Sequence, residues 1–299
     1  MSIEWIGPPA DLVDLVHTFY VAEVGPGKLD EPTPAYSAQL VIVVDGHAEL
    51  EFSHGGITQT GPLFLNAPQL RAGRIRIFGP YRAIGASLTP LGWAVLTGKA
   101  ADTVHDCDAT PEVVAAPGLI RDITDWVSRT KSNDADMEGG VAYLGAILRS
   151  ATHPIKDRHR EFVQAAGQWL GSGLNPSLED LYADIPLSQR QIQRLCRQFF
   201  GASPTQVLMR HRAIRAAMLL SNPDLPQAFR DELTSAYFDQ AHMIRDIRRF
   251  TGRTPADLAV NSFSQESLDP AGHGATAAVL LDDGEPRTDA NDSQQTGMR

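Results

Sequence analysis

Between about residues 36 and 88 the apolar positions come in short stretches. Leu40-Val41-Ile42-Val43-Val44 is a β-branched run, and Ala48-Glu49-Leu50-Glu51-Phe52 alternates with period two, as a strand with one wet face does. Asp45-Gly46 between them carries the signature of a two-residue hairpin turn. Gly55-Gly56, Gly61-Pro62, Gly73 and Gly79-Pro80 divide the rest into pieces such as Leu63-Phe64-Leu65 and Arg74-Ile75-Arg76-Ile77-Phe78. Many short strands with frequent turns predict a sandwich or small barrel. After Pro90 the spacing turns helical over 91–96, 113–127 and 141–148, helices that either cover the β-rich part or form a dimer contact. From 160 to 259 the pattern is helical throughout, with elements expected at 160–171, 177–184, 189–200, 204–221, 227–235, 240–251 and 255–261. Asn175-Pro176-Ser177 caps one start and Asn222-Pro223-Asp224 interrupts the longest run. Beyond residue 261 the chain is rich in Ser, Gln, Asp and Gly, with 275–281 as its only apolar island. Such a segment is expected to be disordered.

Within the helical half a pattern repeats at an offset of 51 residues. Ser188-Gln189-Arg190-Gln191-Ile192-Gln193-Arg194 aligns without a gap on Asp239-Gln240-Ala241-His242-Met243-Ile244-Arg245. Arg197-Gln198-Phe199 falls on Arg248-Arg249-Phe250, Gly201 on Gly252, and Ser203-Pro204 on Thr254-Pro255. Each copy opens on an N-capping Ser or Asp and closes on Gly. Each then starts a further helix with Pro at its first position.

Charge sharpens this picture. The net charge is −10, which by itself argues against nucleic acid, but it is unevenly spread. Residues 1–150 carry 10 basic and 18 acidic side chains, 151–262 carry 14 and 11, and the last 37 carry 2 and 7. The basic excess therefore lies with the repeat, and 13 of its 14 basic residues are Arg, whose planar fork suits phosphate and guanine. No run of about 18 apolar residues is present, and the N-terminus lacks the pattern of a signal peptide. A cytoplasmic protein without membrane contact is expected. Two cysteines, Cys107 and Cys196, cannot build a disulfide framework and are expected to be reduced.

In the first copy Ile192, Leu195, Cys196 and Phe199 share one face and should pack inward. Arg190, Gln193, Arg194 and Arg197 share another. In the second copy Met243, Ile247 and Phe250 turn inward, while Gln240, His242, Arg245 and Arg249 point outward with Arg248 beside them. Short helices with Arg and Gln on an exposed face fit the major groove, where Arg pairs with guanine and Gln with adenine. On these residues, segment 160–261 resembles the DNA-binding domain of AraC-type transcriptional regulators, in which one long helix joins two helix-turn-helix units. The words that carry the resemblance run from Leu187 through Pro204 and from Tyr237 through Pro255. The resemblance implies two recognition helices in successive major grooves. It implies base contacts from positions 190, 193 and 194 in the first unit and from 240, Ala241, 242 and 245 in the second. The N-terminal half loosely resembles the cupin-type sensing barrel of such regulators.

The sequence departs from that family at several places. Tyr182 and Pro186 stand where a small residue and Gly are usual before the first recognition helix. Asp231-Glu232 replace a Leu-Ala pair, and Ala236 replaces the turn Gly of the second unit, where φ > 0 would be costly for Ala. A shifted helix that places Phe229 and Leu233 in the core is the favoured accommodation. Other chemistry is sparse. His17, His47 and His54 lack the spacing of a metal site. His105-Asp106-Cys107-Asp108 would alternate faces on a strand and cannot converge. Cys196 reads as a core residue, and Trp5, Trp93, Trp126 and Trp169 read as core before ligand wall. No nucleophile elbow, P-loop or HExxH occurs, so no enzyme, catalytic residue, metal or cofactor is expected.

The expectation is an α+β chain: an N-terminal β-rich barrel or sandwich with covering helices, then an all-α domain of two helix-turn-helix units. Its parts are a cupin-like sensing domain at 1–110 and a helical linker or dimerisation segment at 111–155. The DNA-binding domain follows at 156–262, with a disordered acidic tail at 263–299. The expected partners are double-stranded promoter DNA, a small-molecule effector, RNA polymerase and a second copy of the chain. The alternative is a degenerate regulator whose weakened second unit leaves it a small-molecule-binding or protein-interaction module.

Overall fold

A computed structural model of the chain describes residues 1–109, 117–130, 137–151, 153–221, 233, 236–237 and 239–269. Its N-terminal part is one antiparallel sheet of seven strands: β1 (Ser2–Ile6), β2 (Val16–Thr33), β3 (Gln39–Glu51), β4 (Ile57–Gln59), β5 (Leu63–Asn66), β6 (Gly73–Leu88) and β7 (Asp108–Ala109). They lie in the order β1-β2-β6-β3-β5-β7, with β4 also paired to β3.

The long strands bend at one level. Register shifts fall between Val24 and Gly27 in β2 and between Val43 and His47 in β3. Gly79-Pro80 of β6 lies opposite both. Asp45-Gly46 is therefore not the hairpin turn expected from sequence; β3 runs through it as a bulge. A bulge and a tight turn both ask for positive φ, and Gly46 has φ 72. A Cβ on Gly46 would lie 2.5 Å from the Pro80 carbonyl oxygen. β2 escaped the sequence reading because Gly25, Pro26, Gly27 and Pro32 give its second half the look of a loop.

Because side chains alternate across a strand, the bent sheet has two apolar faces. Leu40, Ile42, Ile84, Ala86 and Leu88 point to one face. It is covered by α1 (Pro90–Thr97), α2 (Pro117–Thr130) and α3 (Met137–Ser150). Trp93, Ile123, Trp126, Leu144 and Ile147 fill that layer, so α2 and α3 serve as cover for the sheet. Val41, Val43, Ile77, Tyr81 and Ala83 point to the other, concave face.

The remaining helices are α4 (Asp157–Gly171), α5 (Leu178–Asp184), α6 (Gln189–Phe200), α7 (Pro204–Ser221), α8 (Gln240–Thr251), α9 (Pro255–Val260) and α10 (Ser262–Ser267). One core gathers Phe162, Trp169, Leu181, Ile192, Leu195 and Phe199. A second gathers Ile214, Met218, Leu233, Ile247, Phe250 and Leu258. α7 serves both, with Val207 and Leu208 in the first and 213–219 largely in the second. The helix expected at 227–235 lies outside the described residues except for Leu233.

The expectation of disorder from residue 263 is corrected at its start. Asn261 caps α10 through its Oδ1, which accepts the Ser264 N–H at 2.8 Å. Phe263 and Leu268 are buried, Leu268 in the second helical core. Two large apolar side chains and a cap suffice to dock this turn, although its composition is that of a tail. Residues 270–299, including the apolar island, lie outside the described residues. Among the described residues no helix is long and apolar enough to cross a membrane.

Replacing Gly46 with Ala should destabilise the protein by about 1–3 kcal/mol, since it strains φ and drives a methyl into a carbonyl. A lowered urea midpoint with an unchanged m-value is the expected result; an unchanged midpoint would refute the account of this bulge.

Candidate nucleic-acid interface

The two repeat copies form structurally matched helices, α6 and α8, both 12 residues long. Ser188 and Gln191 close a reciprocal capping box at the start of α6. Asp239 Oδ1 accepts the His242 N–H at 2.6 Å at the start of α8. Gly201 (φ 80) and Gly252 (φ 72) end them in the left-handed conformation, which only Gly adopts without cost. The next helices start at Pro204 and Pro255.

On α6, Ile192, Leu195, Cys196 and Phe199 are buried and Arg190, Gln193, Arg194 and Arg197 are exposed. On α8, Gln240, Ala241, Arg245 and Arg249 are exposed. His242, expected to point outward, is half-buried. Its Nε2 lies 3.4 Å from Asp246 Oδ2 and its ring meets Tyr237 edge-on. Arg249 sits at the far end of α8, its guanidinium 5.1 Å from the Phe250 ring centre. Nine residues at about 1.5 Å each separate it from Gln240, so the two cannot meet the same base pair. Among the described residues, Arg190, Arg194, Arg197, Arg245 and Arg248 enter no ion pair.

Asp246 is the residue that sequence reasoning missed. It occupies the place of Leu195 in the repeat and is buried at 5% exposure. Arg212 of α7 reaches it at 2.9 Å, stacks 4.3 Å from the Tyr237 ring centre, and donates to the Ala236 carbonyl at 3.3 Å. A charge at an inward repeat position demands a partner, and that demand was visible in the spacing. The family departures cause no disruption where they are described. Tyr182 packs at the edge of the first core, and Pro186 is exposed between α5 and α6. Leu233 fills the second core, and Ala236 has helical rather than left-handed backbone. Phe229, Asp231 and Glu232 lie outside the described residues. The reading of a degenerate second unit gains no support from a helix this well capped and packed.

The sheet holds the far ends of both helices. The Ala101 N–H donates to the Gln198 carbonyl at 2.8 Å, Ala72 to Arg249 at 3.1 Å, and Ala35 to Phe250 at 2.7 Å. Arg210 of α7 donates to the Gln69 carbonyl at 3.1 Å, and desolvation there lowers its pKa to about 10, leaving it charged at neutral pH. Burial raises the Cys196 thiol to about 12, as befits an inert core residue. Desolvation, helped by Arg158, Lys156 and Arg194, lowers the His159 pKa beside α6.

The concave face of the sheet encloses a cavity of about 150 Å³. Trp5, Tyr20, Phe64 and Tyr81 line its apolar part, and Phe263 and Ser267 of α10 wall one side. Among the described residues no charged side chain lines it. Thr33 Oγ1, Asn66 Oδ1 and Gln69 Oε1 reach its lining and are buried without a hydrogen-bond partner. Of the other tryptophans, Trp93, Trp126 and Trp169 are core. A second cavity, of about 250 Å³, lies between sheet and helices with Arg210 and His211 in its wall. His17 also lines this one. His47 stacks on Phe78 and His54 is exposed. Asp106 serves structure, accepting the Leu70 N–H at 2.8 Å. Among the described residues no three His, Cys, Asp or Glu side chains are grouped to hold a metal.

Residues 182–259 match the family model of a helix-turn-helix domain. No curated protein matches the chain in sequence. Among solved structures it is similar to ToxT from Vibrio cholerae, at 7% identity and TM-score 0.48, covering 86% of this chain and 97% of that one. It is similar also to ToxT from Vibrio cholerae O395 bound to (E)-4-(8-methylnaphthalen-1-yl)but-3-enoic acid, at 7% identity and TM-score 0.46 over 86% and 98%. A third is the AraC-like transcriptional activator CuxR, at 14% identity and TM-score 0.32 over 86% and 82%. Likeness at this level says nothing of what this chain binds.

Asp246→Asn should cost about 3–5 kcal/mol, because it leaves Arg212 buried without its counter-charge. Calorimetric unfolding checks this, and a loss below 1 kcal/mol would mean that the pair does not hold α8 to α7.

Proposed function

We propose that this chain is a sequence-specific DNA-binding transcriptional regulator that responds to a small molecule held by its N-terminal sheet. The observation that carries the reading is the matched pair α6 and α8, each presenting exposed Arg and Gln side chains beyond a capped N-terminus. A helix N-terminus brings unsatisfied N–H groups and a positive dipole end, both suited to phosphate. In this reading Arg190, Gln193 and Arg194 contact bases from α6, and Arg197 holds the groove edge. Gln240, Ala241 and Arg245 contact bases from α8, with His242 and Arg249 flanking them. Residues 1–110 with their covering helices form the sensing part, and 156–262 the DNA-binding part. Assembly as a homodimer and contact with RNA polymerase belong to the same reading.

The effector site is the cavity on the concave face. Its size is near that of a cavity that takes benzene. A carboxylate or phosphate would lie there without a counter-charge, which is costly. Its three orphan polar atoms favour a ligand that can both donate and accept, as a hydroxyl does. The site therefore suits a neutral, single-ring molecule with one hydroxyl.

Two measurements test the two halves of the reading. Arg194→Ala should lose roughly 1–3 kcal/mol on a fragment selected from genomic DNA and less on random sequence; failure of the intact chain to bind any duplex at low salt would end the DNA reading. Benzyl alcohol should raise the thermal midpoint while benzoate does not, and Asn66→Leu should remove the shift. Equal shifts from both compounds would remove this cavity as the site.

A further inference from the structure

Beside the C-terminal turn of α8 lies an open groove of about 580 Å³ with five arginines in its wall. Arg245, Arg248 and Arg249 come from α8, whereas Arg71 lies in the loop leading into β6 and Arg74 at the start of that central strand. Its other lining residues are Pro32, Ser53, Ala72, Gly73 and Gly252, so among the described residues no carboxylate lines it. All five arginines are exposed. Arg74 is tied to Asp30 at 2.5 Å, but among the described residues Arg71, Arg245 and Arg248 have no ion-pair partner. The loop leading into β6 is fixed there, because the Ala72 N–H donates to the Arg249 carbonyl. Arg71 is thus held next to the last turn of α8.

Asp30 compensates Arg74, but the guanidinium groups of Arg71, Arg245 and Arg248 around the same groove repel one another unless an anion lies between them. The dimensions indicate which anion. α8 has 12 residues and is about 18 Å long at 1.5 Å per residue, while the major groove is about 12 Å wide. A recognition helix entering by its N-terminal half therefore brings its last turn to the phosphates that bound the groove. We propose that Arg71, assisted by Arg74 and Arg248, binds the phosphodiester backbone of DNA held by α8, so that the sensing sheet is itself part of the DNA interface. This rests on the DNA-binding reading above and extends it to a part of the chain that is acidic overall.

The test uses the full-length protein, a selected genomic fragment and a random duplex, with binding measured by fluorescence anisotropy from low to moderate salt. Arg71→Ala should weaken both duplexes by a similar factor, roughly three- to tenfold. It should also make the slope of log affinity against log salt shallower by about one, the loss of one phosphate contact. Arg71→Glu should weaken both further, and Arg121→Ala, on α2 over the opposite face of the sheet, should leave both unchanged. Wild-type binding with an unaltered Arg71→Ala affinity and slope would overturn this proposal and leave the regulator reading standing. Loss confined to the genomic fragment would also overturn it, since a phosphate contact carries no sequence preference. So would calorimetric binding of inorganic phosphate that needs Arg71 while DNA affinity does not, which would make the groove a small-anion site. Absence of wild-type binding to any duplex at low salt would instead remove both readings together.

Discussion

Three backbone hydrogen bonds fix how the two recognition helices are presented. A helix ends with four carbonyls that have no partner inside it. In α6 and α8 a left-handed Gly turns the chain, and sheet loops supply further donors from Ala101, Ala72 and Ala35 to carbonyls at the helix ends. The C-terminal ends are therefore rooted in the β-rich part. Sequence repeats the helix, and the sheet repeats its anchorage. Presenting two similar surfaces from one rigid base requires both.

Between the anchors, α7 carries the relative placement of the two units through buried charge. Arg215 has no exposed surface, and its guanidinium donates to the carbonyls of Leu170, Gly173 and Leu174 at the end of α4. One turn earlier, Arg212 holds Asp246 of α8. Both arrangements cost desolvation, and hydrophobic side chains of similar size could serve stability as well. What they add is direction. A guanidinium aimed at fixed carbonyls or at one carboxylate tolerates little sliding, whereas a Leu-lined contact tolerates more. The first unit uses Leu195 where the second uses Asp246, so the two halves of a repeated sequence are held by different forces.

The repeat, its caps and its inward face were legible because each depends on residues within a helical turn or two. The bounds of α6 and α8 and the start of α7 follow from Ser188, Gly201, Pro204, Asp239 and Gly252 alone. Features that depend on distant chain were not legible. Asp45-Gly46 satisfies a turn and a bulge equally, and only the carbonyls of Pro80 and Phe78 above Gly46 decide between them. α10 depends on Leu268 finding the second helical core across the chain. Arg71 shows the limit of charge bookkeeping. It belongs to a segment with an acidic surplus, yet it lies on a groove whose wall, among the described residues, has no acid. Net charge describes a stretch of sequence, and a binding surface is assembled from several stretches.

The segment from Glu31 to Tyr36 joins the cavity to the C-terminal end of α8. Glu31 pairs with Arg253 just beyond α8, the Ala35 N–H holds the Phe250 carbonyl, and Tyr36 both lines the cavity and donates to the Ser267 carbonyl of α10 at 3.1 Å. Anything that fills the cavity therefore lies one side chain from the end of α8. Contact alone does not make a switch, because a ligand moves an equilibrium only by its difference in affinity for two arrangements. Here the difference has a physical source. α10 as docked supplies Phe263 and Ser267 to the wall, so under the proposed function a ligand in the cavity would favour this arrangement over any in which that contact is lost. The same docking governs Tyr36, and through the short link to Ala35 it bears on the hydrogen bond that roots the second recognition helix.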